Sequence, residues 1–351
     1  KRKWQTALKL SKKSKDKTVH DLINYLYLIQ PSNAASFYDY LTFIKKHPNY
    51  PRVNRLRYLA EHKINLKTNS PKSIIKWLDG KEPLGTKTNT LANNDKIPNW
   101  IDYSGKNHHL SQQEKSKQPF YNTTTQTVDF DGIDDELIVS NIITSEVTTL
   151  NIIIIFESND NTKEQTLLSL KSNNGINWET QYNINTLTTT ITDGTSKVIN
   201  STKAEKNKKY ISYITYTPTE LKSNLNYIPT STVGIGKLPF TTSELRIGNN
   251  INSYFSGKIY EIIIFNETFT EEELQKTHQY LSKKWSLFKK VEVDLNSTET
   301  KKPLESAINL SQENGKIILN NGTSSEVLKI DKPIKIRSKG KSIIGKKPSS
   351  Q

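Results

Sequence analysis

Lys258-Ile259-Tyr260-Glu261-Ile262-Ile263-Ile264-Phe265 is the stretch on which the reading of this chain turns. Its apolar run, 262–265, and the companion run 152–156, Ile-Ile-Ile-Ile-Phe, have the length of strands. Crossing a bilayer as a helix takes about 18 apolar residues or more, which no stretch approaches. On either side of these runs, short segments rich in Ile, Val and Tyr recur between Ser, Thr, Asn and Gly. They fall at 127–130, 136–139, 149–156, 165–170, 177–184, 188–191, 210–216, 244–247 and 258–265. Many short strands separated by turn residues predict an all-β sandwich or barrel. Within 181–191 and 210–216 apolar and polar residues alternate, as they must where one face is core and the other is wet.

The strand grammar ends in a helix. Thr270 and Glu273 form a capping box, and Leu274, His278, Leu281 and Trp285 follow on one helical face. Before about residue 77 the pattern is helical as well. Thr18 and Asp21 are an N-cap pair for a helix carrying Leu22, Tyr25, Leu26 and Ile29, which Pro31 ends. Phe37, Tyr40, Leu41 and Ile44 repeat the stripe up to His47-Pro48, and Pro51 opens a third helix with Val53, Leu56 and Ala60. Helices this short must pack on one another or on a neighbour.

The net charge of +15 first suggests nucleic acid, but its distribution argues otherwise. Residues 1–17 and 329–347 each hold eight basic residues against one acid, whereas the rest holds 34 against 33. A duplex reader would carry the excess on its folded face, so no specific nucleic-acid partner is expected. The ends read as solvated basic tails or linkers, with docking on an anionic surface such as lipopolysaccharide or membrane as the alternative. The absence of cysteine excludes disulfides, thiolate metal sites and cysteine nucleophiles. Methionine is also absent, so Lys1 is expected to follow a processing site or to begin a fragment.

Several motifs carry a resemblance. Trp77-Leu78-Asp79, Trp100-Ile101-Asp102-Tyr103-Ser104-Gly105-Lys106-Asn107-His108-His109-Leu110, Gln118-Pro119 and Val128-Asp129-Phe130-Asp131-Gly132-Ile133-Asp134-Asp135 resemble the opening of bacterial and phage laminin-G-like jelly-roll domains. Gly257 to Asn266 with Leu281-Ser282-Lys283-Lys284-Trp285 resembles the last strand and final helix of the same family. The resemblance implies a concanavalin-like β-sandwich over 77–287 and a non-catalytic binding or adhesion role in secreted, surface or virion proteins. Residues 36–51 and 56–61 resemble the helical repeat of soluble lytic transglycosylases, which implies a packing element and no activity. Short strands within 307–308, 314–323, 327–330, 332–336 and 342–345, with Gly or Pro between, resemble the first coils of a right-handed β-helix, as in polysaccharide lyases and tailspikes. Such coils need stacked neighbours, so 288–351 reads as truncated or completed by a partner. The expected order is a basic tail (1–17), a helical module (18–76), the sandwich (77–287) and a β-helix-like start (288–351), mainly β overall.

Candidate binding residues follow from chemistry. Glycan sites combine an aromatic platform with amides and carboxylates for hydroxyl groups. Trp178, Glu179, Gln181 and Tyr182 bring that mixture to one strand, and Asn249, Asn250, Asn252 and Tyr254 bring it to a loop; core packing is the competing account of Trp178. Asp129, Asp131, Asp134 and Asp135 are the densest acidic cluster, read first as a tight strand-turn-strand and alternatively as calcium ligands. His108 and His109 would point to opposite faces of a strand and could not easily share a metal. The sequons at Asn122 and Asn200 are expected by chance. No nucleophile elbow, zinc-protease helix or phosphate loop occurs. The expectation is an extracellular polysaccharide- or surface-glycan-binding protein of a surface or virion appendage. Its rivals are a self-associating structural subunit of a filament or tail, and the targeting region of a larger polysaccharide-degrading enzyme.

Overall fold

The computed structural model of this chain describes residues 4–30, 33, 35, 37–61, 74–85, 91–143, 146–226, 228–234, 236–241, 243–250, 253–296, 302–330 and 332–345. Four helices come first: α1 (Trp4–Ser11), α2 (Lys17–Leu28), α3 (Phe37–Lys46) and α4 (Val53–Glu61). The strands follow as β1 (Ile74–Asp79), β2 (Asn99–Trp100), β3 (Leu110–Ser111), β4 (Phe120–Asn122), β5 (Thr127–Asp131), β6 (Leu137–Val139), β7 (Leu150–Ser158) and β8 (Gln165–Ser172). The second half adds β9 (Asn177–Asn183), β10 (Thr186–Thr192), β11 (Lys197–Lys203), β12 (Tyr210–Thr217), β13 (Glu220–Leu225), β14 (Ile228–Val233), β15 (Ser243–Ile247) and β16 (Ser256–Phe265).

These strands make two antiparallel eight-stranded sheets, a mainly-β sandwich. Sheet A runs β14-β13-β12-β7-β16-β5-β4, with β1 also paired to β16, and sheet B runs β11-β10-β9-β8-β15-β6-β3-β2. Side chains alternate across a strand, so the unbroken apolar runs of β7 and β16 must be buried on both faces. Ile152, Ile154, Phe156, Ile262 and Ile264 face the sandwich interior. Ile153, Ile155, Ile263 and Phe265 face outward into a second core under the helices, where Tyr25, Leu28, Tyr40, Phe43, Leu56 and Leu281 meet them. The helical module is thus the lid of sheet A.

The closing helix α5 (Glu271–Lys284) has the expected capping box between Thr270 and Glu273. Three of the motifs quoted above, those holding Trp77-Asp79, Glu261 and Lys284-Trp285, meet at one place beneath it. Glu261 accepts from Trp77 Nε1 (2.8 Å), Trp285 Nε1 (2.5 Å) and Lys284 Nζ (2.7 Å), and Lys284 also reaches Asp79 at 2.7 Å. Burial opposes the Lys284 charge, but Asp79 and Glu261 outweigh it and hold the ammonium above the usual lysine range. Asp102 accepts from Trp77 N–H and Ser104 N–H, and Gly105 (φ +86°) completes the expected turn. The motif residues therefore act as a clasp between β1, β16 and α5.

Beyond Phe288 the chain forms β17 (Lys290–Val293), α6 (Pro303–Leu310), β18 (Lys316–Leu319), β19 (Gly322–Ser324), β20 (Lys335–Ser338) and β21 (Ser342–Ile344). Pairing here is parallel: β17-β18-β20 in one sheet and β19-β21 in another. Lys316 lies beside Lys335, 19 residues on, and Gly322 beside Ser342, 20 residues on, so two rungs stack as a coil. Among the described residues no helix is long and apolar enough to cross a membrane.

Several expectations are corrected. Residues 4–11 of the basic tail are helical, because Trp4 and Leu8 sit one turn apart and pack against the helical core, with Trp4 6.1 Å from the Tyr27 ring. Asp16, not Thr18, caps α2, accepting from Thr18 N–H at 2.8 Å. Leu22 and Leu26 are exposed, since the helix turns Tyr25, Tyr27 and Leu28 inward instead. The side chains of Phe37 and Leu41, like residues 31–32 and 62–73, lie outside the described residues. The sandwich begins at Ile74 rather than Trp77, because Ile74 already pairs with Phe265.

Candidate binding face

Among the described residues no helical lid like that of sheet A lies on the outer face of sheet B, although β8 is buried there at Thr166 and Ser169. Strands β9 and β10 alternate strictly, with Trp178, Thr180 and Tyr182 buried and Asn177, Glu179, Gln181 and Asn183 turned outward. Thr186, Thr188, Thr190 and Thr192 continue the outer face on β10, and Lys197, Ile199, Ser201 and Lys203 on β11. The register aligns one outward row across all eight strands: Ile199, Thr190, Glu179, Ser169, Arg246, Ile138, Ser111 and Asn99. With strands about 4.8 Å apart, the row is roughly 34 Å long.

The expected strand site is therefore split. Glu179 and Gln181 belong to the open face, with Gln181 Nε2 donating to Glu164 at 3.0 Å. Trp178 and Tyr182 are core: the indole N–H donates to Thr180 Oγ1 at 3.1 Å and packs near Phe240. The period of two that places Glu179 outside places Trp178 inside, so the pair cannot share a ligand. Burial lifts the Tyr182 hydroxyl to about 12.

Beside Arg246 of the row lies the expected loop set, with Asn249 buried. Asn249 and Tyr254 face each other across an isolated bridge, and Asn250 adjoins them half-buried; Asn252 lies outside the described residues. Asn249 Nδ2 donates to Glu136 Oε2 at 2.9 Å, and Ser169 Oγ donates to the Asn249 carbonyl at 3.0 Å. Arg246 is held between two carboxylates, Nη1 to Glu136 at 2.9 Å and Nε to Glu244 at 2.6 Å. A guanidinium fixed in this way presents its remaining donors in one orientation. Glu136, Glu244 and Arg246 were not singled out from the sequence. Residues 136 and 246 are 110 positions apart and meet only through the β6–β15 pairing.

The acidic cluster divides as well. Asp129 is buried on β5, accepting from Thr127 Oγ1 (2.5 Å) and Asn122 Nδ2 (2.9 Å), and burial pushes its carboxyl up. Asp131, Asp134 and Asp135 each place a carboxylate oxygen within 4.8 Å of the others. Asp131 Oδ1 accepts from Ile133 N–H at 2.8 Å, and Gly132 takes φ +79° with its α-carbon against Ser256, which is the tight turn expected. Asp135 is raised to about 6 by burial, then by Asp131, against the pull of Lys96 at 3.5 Å. His108 and His109 serve the Asp102 turn: His109 Nδ1 accepts from Asp102 N–H at 3.0 Å, and the His108 carbonyl accepts from buried Lys76. The amides of Asn122 and Asn200 are engaged within the fold, Asn200 donating to the Leu221 carbonyl at 3.1 Å.

No family model matches the chain, and no curated protein matches it in sequence. Among solved structures, the crystal structure of the botulinum neurotoxin serotype D binding domain is similar over 60% of this chain and 51% of that one, at 15% identity and a TM-score of 0.46. A botulinum neurotoxin type C structure, from work on cell entry dependent upon two ganglioside molecules, matches over 63% and 53% at 16% identity and a TM-score of 0.45. The Ruminococcus gnavus IT-sialidase CBM40 bound to α2,3 sialyllactose matches over 36% and 80% at 13% identity and a TM-score of 0.32. The chain spans about half the length of the neurotoxin chains it matches.

Proposed function

We propose that this chain is a non-catalytic carbohydrate-binding protein of laminin-G-like kind, acting outside the cell on a surface or virion appendage, and that the open face of sheet B receives a polysaccharide. The row on the outer face of sheet B carries the reading: Asn99, Ser111, Arg246, Glu179 and Thr190 are at least partly exposed on it, with Ile138 and Ile199 among them and Ser169 buried under the Asn249 carbonyl. Such a row offers repeated donors and acceptors to a chain of sugar hydroxyls, with Arg246 oriented by Glu136 and Glu244 and the partly exposed Tyr254 bridged to Asn249. A glycan array probed with the whole chain tests it. Retention of one glycan class that falls tenfold or more in Arg246→Ala and Gln181→Ala supports the reading, and retention unchanged in both variants sinks it. Calcium at Asp131, Asp134 and Asp135 remains a proposal of the same kind. It requires that calcium raise the melting temperature by several degrees and that Asp131→Asn abolish the rise.

A second reading, assembly, is favoured by one observation. Val327 is 94% exposed and Ile330, Ile343 and Ile344 are about half exposed at the open end of the parallel coil. Self-association through this edge would appear in sedimentation as a concentration-dependent oligomer that Ile343→Glu reduces to monomer.

A further inference from the structure

On the opposite side of the sandwich the helical lid stops short, leaving the outer face of β12, β13 and the start of β7 as the floor of a cleft of about 780 Å³. Its walls are the turn before α5 and the outward side of α6. A volume of this size lies within the range of small-ligand sites. Cross-strand pairing of Asn151 with Thr215, and of Tyr213 with Asn224, puts these side chains on the floor. Asn151 is 1% exposed, and neither its Oδ1 nor the equally buried Oδ1 of Asn224 accepts a hydrogen bond. A buried amide oxygen left without a donor is costly, and native interiors rarely keep two at one place. Water or a ligand group must complete them.

The rest of the lining narrows the chemistry. Phe269, propped edge-on against Phe265 at 4.8 Å, stands half-exposed at the rim. Charges nearly cancel, with Glu220, Glu271 and Glu305 against Lys222 and Lys302, so the cleft has no excess to attract an anion. Thr215 and Thr217 add hydroxyls to the floor. Acceptors without donors, hydroxyls, the Phe269 ring at the rim and nearly balanced charge suit a neutral ligand rich in O–H donors. A peptide would look for apolar side-chain holes that this floor of Asn and Thr does not offer. From this we infer a second ligand site, between sheet A and α6, that takes a short neutral oligosaccharide: ring faces on Phe269, hydroxyls donated to the Asn151 and Asn224 amides.

The inference does not rest on the sheet B reading, and the test separates them. Maltotriose, cellotriose, xylotriose and chitotriose are titrated into the full chain by calorimetry, alongside Asn224→Ala, Lys222→Trp and Arg246→Ala. Lys222 is exposed on the floor, so a tryptophan there fills the cleft without disturbing the core. At least one trisaccharide should bind, weaken tenfold or more in Asn224→Ala and Lys222→Trp, and change less than twofold in Arg246→Ala. Unchanged melting temperatures identify the loss as local. The site is overturned if none of the four binds at millimolar concentration, if the two cleft variants bind like the parent, or if the loss follows Arg246→Ala instead.

Discussion

The two outer faces of the sandwich are made by the same rule and end in different surroundings. On sheet A, β7 and β16 carry Ile153, Ile155, Ile263 and Phe265 outward, and the face becomes interior because α2 to α5 lie on it. On sheet B, β9, β10 and β11 carry Asn, Gln, Glu, Thr, Ser and Lys outward, and among the described residues no such lid lies there. Both faces alternate against a shared apolar core, so the difference lies entirely in the parity that the core does not use. On sheet A that parity is buried under the helices, and on β9 to β11 of sheet B it stays at least partly exposed. The comparison makes a quantitative claim: equal substitutions on the two faces should differ by several kcal/mol.

The largest difference is expected at the clasp. Lys284→Met would leave the Glu261 carboxylate buried with only the Trp77 and Trp285 indoles for company. Breaking one partner of a buried pair costs about 3–5 kcal/mol. For a domain of this size that is roughly 10 °C in melting temperature. Pairing it with Glu261→Leu should recover much of the loss, because the orphan charge is then gone. A scan in which the single variant melts with the parent would remove the clasp from the account. Next comes a matched pair of isoleucines. Ile155, fully buried under the lid, should cost about 3 kcal/mol on truncation to Ala. Ile199, 45% exposed on the open face, should cost under about 0.5 kcal/mol. Equal losses in urea titration would mean that the two faces are equivalent after all.

That asymmetry also explains what could be read in advance. The strands β5 to β10, β12, β15 and β16 and helix α5 were legible because their apolar residues carry a period or, in β7 and β16, an unbroken run of strand length. Strand β11, Lys-Val-Ile-Asn-Ser-Thr-Lys, and β13 were missed because a strand at the sheet margin needs few apolar residues to declare itself. Parity was the harder question at β9. Asn-Trp-Glu-Thr-Gln-Tyr-Asn fits either face, and only the partner strands decide that Trp178 is inside. Helix α1 was hidden by the basic residues that flank it, although Trp4 and Leu8 one turn apart were the available signal. Glu136 and Arg246 had none, since their meeting is a property of the sheet and not of any segment.

A pH scan sharpens the comparison further, because the covered face holds a buried histidine. His278 contacts Tyr213 Oη at 3.2 Å and the Leu310 carbonyl at 2.9 Å, tying α5 to sheet A and α6. Burial depresses it to about 3, against the carbonyl of Leu310, with Lys332 adding to the fall. The unfolded chain therefore takes up a proton near pH 6.5 that the folded chain refuses until about pH 3. Stability is present above 6.5 and is lost as pH falls through this window, by about 2 kcal/mol at pH 4.5 after allowance for relaxation. His278→Gln should flatten the profile between pH 6.5 and 4.5, and a parent already flat there would refute the assignment.

The smallest stability effect belongs to the open face, and its smallness is the point. Glu179→Ala and Thr190→Ala remove half-buried groups that meet solvent and one another, so each should shift stability by under about 0.5 kcal/mol. If the face exists for contact, the same substitutions must show elsewhere, as weaker retention on whichever glycan the array identifies. The face sets Glu136 and Glu244 beside Arg246, with Glu179 further along the row, and its contacts with sugar hydroxyls would be short-range hydrogen bonds. Retention should then change little between 0.05 and 0.5 M salt, since screening over about 10 Å or less acts on unpaired surface charge rather than on such bonds. Strong salt dependence would instead locate the binding in the basic ends, and it would make the open face of sheet B a solvated surface with no partner to explain.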